Sequence, residues 1–198
     1  MTRPSQSLDA GYFERMFQGD DDPWKLETSP YETAKFNASV EALDGRSYDA
    51  VFEIGCAGGS LTERLAPWAR RILAVDISAT AVERARRRCA GSPGVYIRTM
   101  AFPGETPREG PFDLIVLSEV AYYWSDADVA TAAQAIFDLL SPGGDLLLVH
   151  WTGETDYPQT GDGAVGKLAH ALSGRVDVVR GERSEKYRLD LWRRPCLA

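Results

Sequence analysis

An α/β fold built on a mostly parallel, seven-stranded sheet, with helices on both faces and an antiparallel C-terminal hairpin, is predicted by three observations. Short apolar runs recur along the 198 residues, helical periods separate several of the early runs, and no helical period stands between the last two. Alternation of the first kind makes parallel strands covered by helices. With 44% hydrophobic residues, a chain of this length can bury one sizeable core, which predicts a single domain over residues 1–198. Within it, residues 1–45 form a helical N-terminal segment and 46–198 the sheet-bearing core.

The elements follow in order. Tyr12, Phe13, Met16 and Phe17 repeat at helical spacing ahead of Asp20-Asp21-Asp22. Apolar runs at 50–54, 72–75, 95–97, 114–117 and 146–149 read as buried strands. Leu61, Leu65 and Trp68 continue helically from the first of these, with Ser60 and Glu63 spaced as a capping box. The run Arg84-Ala85-Arg86-Arg87-Arg88 reads as a solvated helix face, and His170 as a structural or exposed residue of a later helix. Val129, Ala132, Ala133, Ile136, Leu139 and Leu140 predict a helix that stops before Pro142-Gly143-Gly144. The runs at 176–179 and 187–192 supply the hairpin.

Open parallel sheets bind ligands beyond the carboxyl ends of their strands. The first strand exits into Glu53-Ile54-Gly55-Cys56-Ala57-Gly58-Gly59, and the second ends in Asp76-Ile77, with Asp76 lying 21 positions after Gly55. Glycines let a ligand approach main-chain N–H groups, and a carboxylate at that distance can accept from ribose hydroxyls. The pair predicts an adenosine-containing cofactor. A dinucleotide would call for G-x-G-x-x-G, because pyrophosphate must rest on the helix N-terminus, yet its second and third glycines would fall on Ala57 and Ser60.

The fourth strand exits into Ser118-Glu119-Val120-Ala121-Tyr122-Tyr123-Trp124 and the fifth into His150-Trp151, with Tyr157 following. A carboxylate among aromatics suits a cation or an amine. Glu119 and His150 are the candidate bases, His150 because its ordinary pKa lies near neutrality. Tyr122 and Tyr123 complete the candidate catalytic set, and Trp151 and Tyr157 could carry a sugar ring.

Formal net charge is −7, which disfavours a nucleic-acid partner. No apolar run is long enough to span a membrane, and the first residues lack the apolar stretch of a signal peptide. Cys56, Cys89 and Cys196 are too few and scattered for a disulfide framework or a metal site, so a cytoplasmic, metal-free protein is expected.

The spacing Glu53-x-Gly55-x-x-x-Gly59 resembles the first motif of class I S-adenosylmethionine-dependent methyltransferases. Taken with Asp21-Asp22-Pro23-Trp24, Ser118-Glu119-Val120-Ala121-Tyr122-Tyr123 and Leu140-Ser141-Pro142-Gly143-Gly144, it resembles the NodS-like N-methyltransferases from about residue 12 to residue 195. The resemblance implies a Rossmann-like core and S-adenosylmethionine as cofactor. On that reading Glu53, Gly55, Cys56, Ala57, Gly59, Asp76, Ile77, Ser118 and Glu119 hold the donor. Met100, Ala101 and Phe102 flank its adenine, with Ala101 where many such enzymes carry an acid.

The N-terminal segment would act as a lid, with Lys35 on the donor's carboxylate and Trp24 or Tyr31 over the sulfonium. The acceptor implied is a small molecule, most directly the free amino group of an amino sugar in a deacetylated chitooligosaccharide. A small-molecule O-methyltransferase is the alternative acceptor chemistry. A nicotinamide-dependent oxidoreductase is the alternative from another class; Tyr31 and Lys35 have the Tyr-x-x-x-Lys spacing it would use but precede the glycine loop.

Overall fold

The computed structural model describes residues 3–196. Its seven strands, among these residues, follow the order β3-β2-β1-β4-β5-β7-β6. Two compact units share the described residues: 9–101, and 102–196 with 3–8.

The first unit contains α1 (Ala10–Gly19), α2 (Pro30–Glu41), β1 (Val51–Ile54), α3 (Ser60–Leu65), β2 (Ile72–Asp76), α4 (Ala79–Arg88) and β3 (Val95–Thr99). The three strands are parallel, with Val51 opposite Ile72 and Ile72 opposite Val95. Every residue of β1 and β2 is buried, which is why these strands read as unbroken apolar runs. β3, at the sheet edge, exposes Tyr96. Helix starts follow local chemistry: the side chains of Asp9, Ser29 and Ser78 accept from Tyr12, Glu32 and Ala81 N–H respectively.

The capping box at Ser60 and Glu63 is not formed. The residue before α3 is Gly59, whose left-handed backbone (φ 83°) starts the helix without any side-chain cap, so Ser60 is already helical. Nor is the arginine run simply solvated. Arg84 donates to the carbonyls of Phe17, Asp20 and Asp21, and Arg88 to that of Gly58.

The second unit contains β4 (Phe112–Ser118), α5 (Asp126–Leu139), β5 (Leu140–Trp151), α6 (Gly161–Ala171), β6 (Asp177–Arg183) and β7 (Tyr187–Arg193). β4 and β5 are parallel, with Leu117 opposite Leu148, and the antiparallel hairpin β6–β7 joins β5 through β7. Leu114 to Leu117 and Leu146 to Val149 are wholly buried. The helix stops before Pro142-Gly143-Gly144, as the sequence suggested, but it ends at Leu139, and Leu140, read there as helical, already belongs to β5. Leu140 already adopts extended backbone and pairs with Phe112, and the pairing resumes at Leu114 with Asp145, so the Pro-Gly-Gly stretch is extra chain bulging inside β5. Among the described residues no helix is long and apolar enough to cross a membrane.

Candidate active site

In the first unit the glycine loop is tied to the end of β2. Gly55 and Cys56 N–H both donate to the Val75 carbonyl, at 2.8 and 2.9 Å. The loop then turns through left-handed backbone at Ala57 (φ 48°) and Gly59 (φ 83°). Glycine is required at 59 twice over, since a Cβ there would also approach the Ala85 backbone to 3.0 Å.

Asp76 lies against this loop. Its Oδ2 accepts from Ala57 N–H and its Oδ1 from Ser78 N–H, each at 2.9 Å. Burial pushes its carboxyl up to about 6, against the pull of backbone N–H groups that include Ile77. Glu53, in the middle of the buried β1, accepts a 2.6 Å hydrogen bond from the Thr62 hydroxyl, and burial raises it to about 7. A carboxylate offers about four acceptor positions, so Asp76 keeps capacity on both oxygens for vicinal hydroxyls. Those hydroxyls would also favour its charged form, which burial disfavours. The residues present therefore fit an adenosine ribose.

The expected lid residues belong to the same unit. The Lys35 ammonium is buried and pairs with Glu32 at 2.8 Å, 5.4 Å from the centre of the Tyr31 ring. Trp24 has left-handed backbone (φ 60°) and meets Phe17 edge-on at 5.7 Å. Met100 is anchored through its N–H to the Asp76 carbonyl, while Cys56 is buried, with a thiol pushed well up by burial. Ala101 ends the first unit, whereas Phe102 begins the second and packs 5.9 Å from Trp124.

In the second unit β4 ends at the buried Ser118, and Glu119 turns out of the sheet with a left-handed backbone (φ 59°). Its N–H donates to the Val149 carbonyl at 2.8 Å. Its Oε2 accepts from the Tyr122 hydroxyl at 2.6 Å and from Trp151 N–H at 2.9 Å. Burial, then the Glu119 charge, pushes the Tyr122 phenol well above its ordinary range, so Tyr122 stays a donor.

Tyr157 stacks nearly parallel to Tyr122 (5.7 Å, 11°) and meets Tyr123 edge-on at 4.6 Å. The predicted group Glu119, Tyr122 and Tyr123 is thus brought together. His150 adjoins it, 5.8 Å from Tyr122 ring to ring, but is wholly buried, and its Nε2 accepts from Ala121 N–H at 3.2 Å. An imidazole nitrogen that accepts has its lone pair engaged, so the proton of the neutral ring sits on Nδ1.

Other residues fix this cluster without any sequence signal. Arg3 Nη1 donates to the Tyr157 and Gln159 carbonyls at 2.7 and 3.2 Å, pinning the loop that carries Tyr157. Gln159 N–H reaches the Tyr122 carbonyl at 3.0 Å, and its amide the Trp124 carbonyl at 3.3 Å. Nothing in an isolated Arg3 or Gln159 marks such long-range contacts.

The sequence profile of the family described as Nodulation protein S (NodS) matches residues 11–154. The chain belongs to the NodS family. The Nodulation protein S of Rhizobium tropici is 37% identical over 131 residues, covering 64% of this chain and 54% of that protein. The aligned region spans 54–61% of the length of the four rhizobial NodS proteins it matches. Among solved structures, the N-methyltransferase NodS from Bradyrhizobium japonicum WM9 in complex with S-adenosyl-L-homocysteine superposes with a TM-score of 0.79 at 25% identity, covering 94% of this chain and 98% of that one. A putative methyltransferase from Pseudomonas syringae is 35% identical with a TM-score of 0.73, covering 83% and 99% respectively. The fold is therefore that of the class I methyltransferases.

Proposed function

We propose that this NodS-family chain transfers a methyl group from S-adenosylmethionine to the nitrogen of a small amine, most directly the free amino group of an amino sugar such as a deacetylated chitooligosaccharide. The observation that carries the donor assignment is Asp76, a buried carboxylate anchored by loop and strand-end amides with acceptor positions to spare. The chain's likeness to a NodS solved with S-adenosylhomocysteine supports the same reading.

The bound donor supplies an activated sulfonium methyl, so transfer needs alignment more than activation. On this assignment the glycine loop and Asp76 orient the donor. Glu119 serves the acceptor: its carboxylate, oriented by Tyr122 and Trp151, takes the proton that the amine sheds as the C–N bond replaces the C–S bond. The aromatic faces around it favour a cationic nitrogen. His150, with its Nε2 accepting from Ala121, supports the turn at 121 rather than acting as the base. An amine acceptor, which needs no strong base, fits this arrangement better than a hydroxyl.

Calorimetry with S-adenosylmethionine, S-adenosylhomocysteine and NAD tests the donor, and NAD binding without either sulfur ligand would sink the reading. Mass spectrometry with deacetylated chitooligosaccharides should then find a gain of one methyl on nitrogen. Methylation confined to hydroxyl acceptors would overturn the amine assignment.

A further inference from the structure

Within the first unit, Arg88 touches both the glycine loop and the N-terminal segment. Its Nε donates to the Gly58 carbonyl at 2.9 Å, and its guanidinium pairs with Glu27 and reaches Glu63 at 3.4 Å. One helical turn earlier, Arg84 holds the same segment by the carbonyls of Phe17, Asp20 and Asp21, at 2.6, 2.9 and 2.9 Å.

The held segment has its own order. The Asp22 carboxylate accepts from the N–H groups of Glu27 and Thr28 and from the Thr28 hydroxyl, at 2.9, 3.0 and 2.8 Å, so Glu27 is presented by a preformed turn. That turn also contains consecutive non-glycine residues with left-handed backbone, Trp24 (φ 60°) and Lys25 (φ 57°), a conformation that external contacts must maintain.

Gly58 supplies the independent observation. Unlike Gly55 and Gly59, it has no positive φ. A Cβ at this position would nevertheless lie 2.8 Å from Glu27 Oε1. A Cβ here would therefore displace the flexible end of Glu27 rather than strain the course of the loop.

We propose that Glu27, Arg88 and Gly58 form a latch that fastens residues 20–28 over the glycine loop and governs how fast S-adenosylmethionine enters and S-adenosylhomocysteine leaves. The latch rests on the donor assignment made above. Arg88 and Glu27 are positioning residues in it: neither needs to touch the donor, and both act through the segment they fasten.

Stopped-flow release of S-adenosylhomocysteine from the full chain tests the latch. Glu27→Ala and Gly58→Ala should each speed release roughly three- to tenfold, the range expected for one partly exposed charge-assisted contact. Gly58→Ala should add nothing in the Glu27→Ala background, because the carboxylate it displaces is gone. Added salt should speed release more from the wild type than from Glu27→Ala, which has lost the Glu27–Arg88 pair but keeps that of Arg84 with Asp21. Hydrogen exchange at residues 20–28 should rise in both single variants while α3 and α4 stay protected, separating an opened latch from a misfolded chain. Unchanged release rates, or effects of the two substitutions that multiply, would overturn the latch. A wild type that binds neither sulfur ligand would instead overturn the donor assignment, a result distinct from binding with unaltered release.

Discussion

The two units present carboxylates in opposite ways. In residues 9–101, Glu53 and Asp76 are sunk among apolar strands, and burial outweighs the few donors they have, raising them to about 7 and about 6. In the second unit, Glu119 is half-buried, and a phenol and a backbone N–H converge on its Oε2. On the proposed donor assignment, Asp76 in the first arrangement gains further donors when the ribose hydroxyls bind, whereas the second is organised in advance. A site that binds and releases its ligand in every cycle gains from the former, and a group that must meet a proton in fixed geometry gains from the latter.

The sharpest way to break this contrast is at Glu119. Glu119→Gln should lower kcat about a hundredfold, the scale of one general-base contribution, with donor affinity unchanged by calorimetry. A loss of donor affinity with kcat intact would mean the two carboxylate roles are reversed. Asp76→Ala should do the converse, weakening S-adenosylmethionine binding roughly ten- to a hundredfold, the size of hydrogen bonds to a charged partner. Unaltered binding would remove Asp76 from the donor site.

A smaller effect concerns pH. Glu53 and Asp76 have raised values in the folded free protein, so they favour folding fully at pH values below the ordinary carboxylate range and lose that contribution as pH rises through about 6 and 7. Glu14 runs the other way. Hydrogen bonds from Thr80 and Ser78 lower it to about 2, so its contribution is present above 4.5 and lost as pH falls towards 2. The melting temperature of the free protein should therefore decline by a few degrees between about pH 5 and pH 8. Saturating S-adenosylhomocysteine should flatten that decline, and a decline equally steep with and without ligand would detach these acids from the donor site. The smallest effect is expected at Arg3→Ala. Loosening the loop that carries Tyr157 should raise the acceptor KM about two- to threefold, leaving donor binding alone; a change confined to donor binding would misplace the loop's role.

How much of this was legible in the sequence depended on how local its cause is. Ile72 to Val75 and Leu146 to Val149 announce themselves because a strand buried on both faces needs apolar residues at every position. Asp76 is readable because its place at a strand end follows from that strand. The bulge in β5 was hidden, since Pro142-Gly143-Gly144 has the chemistry of a break and only pairing with β4 draws Leu140 into the strand. Ser60 and Glu63 misled for a related reason: their spacing satisfies a cap, yet left-handed Gly59 begins the helix one residue sooner. Arg84 and Arg88 looked solvated because charge runs usually are, and their carbonyl partners lie far along the chain. Tyr157 was visible as an aromatic, but neither its stacking on Tyr122 nor the hydrogen bond its carbonyl accepts from Arg3, more than 150 residues away, leaves a local signal.

Glu119 occupies backbone that asparagine or glycine would adopt with less strain. Either replacement would ease the turn at the end of β4 and take away the carboxylate that Tyr122 and Trp151 orient. On the proposed role of Glu119 as proton acceptor, selection for a firmer fold and selection for proton uptake favour different amino acids at this position. Relatives that had given up the reaction would have a ready route to greater stability through residue 119.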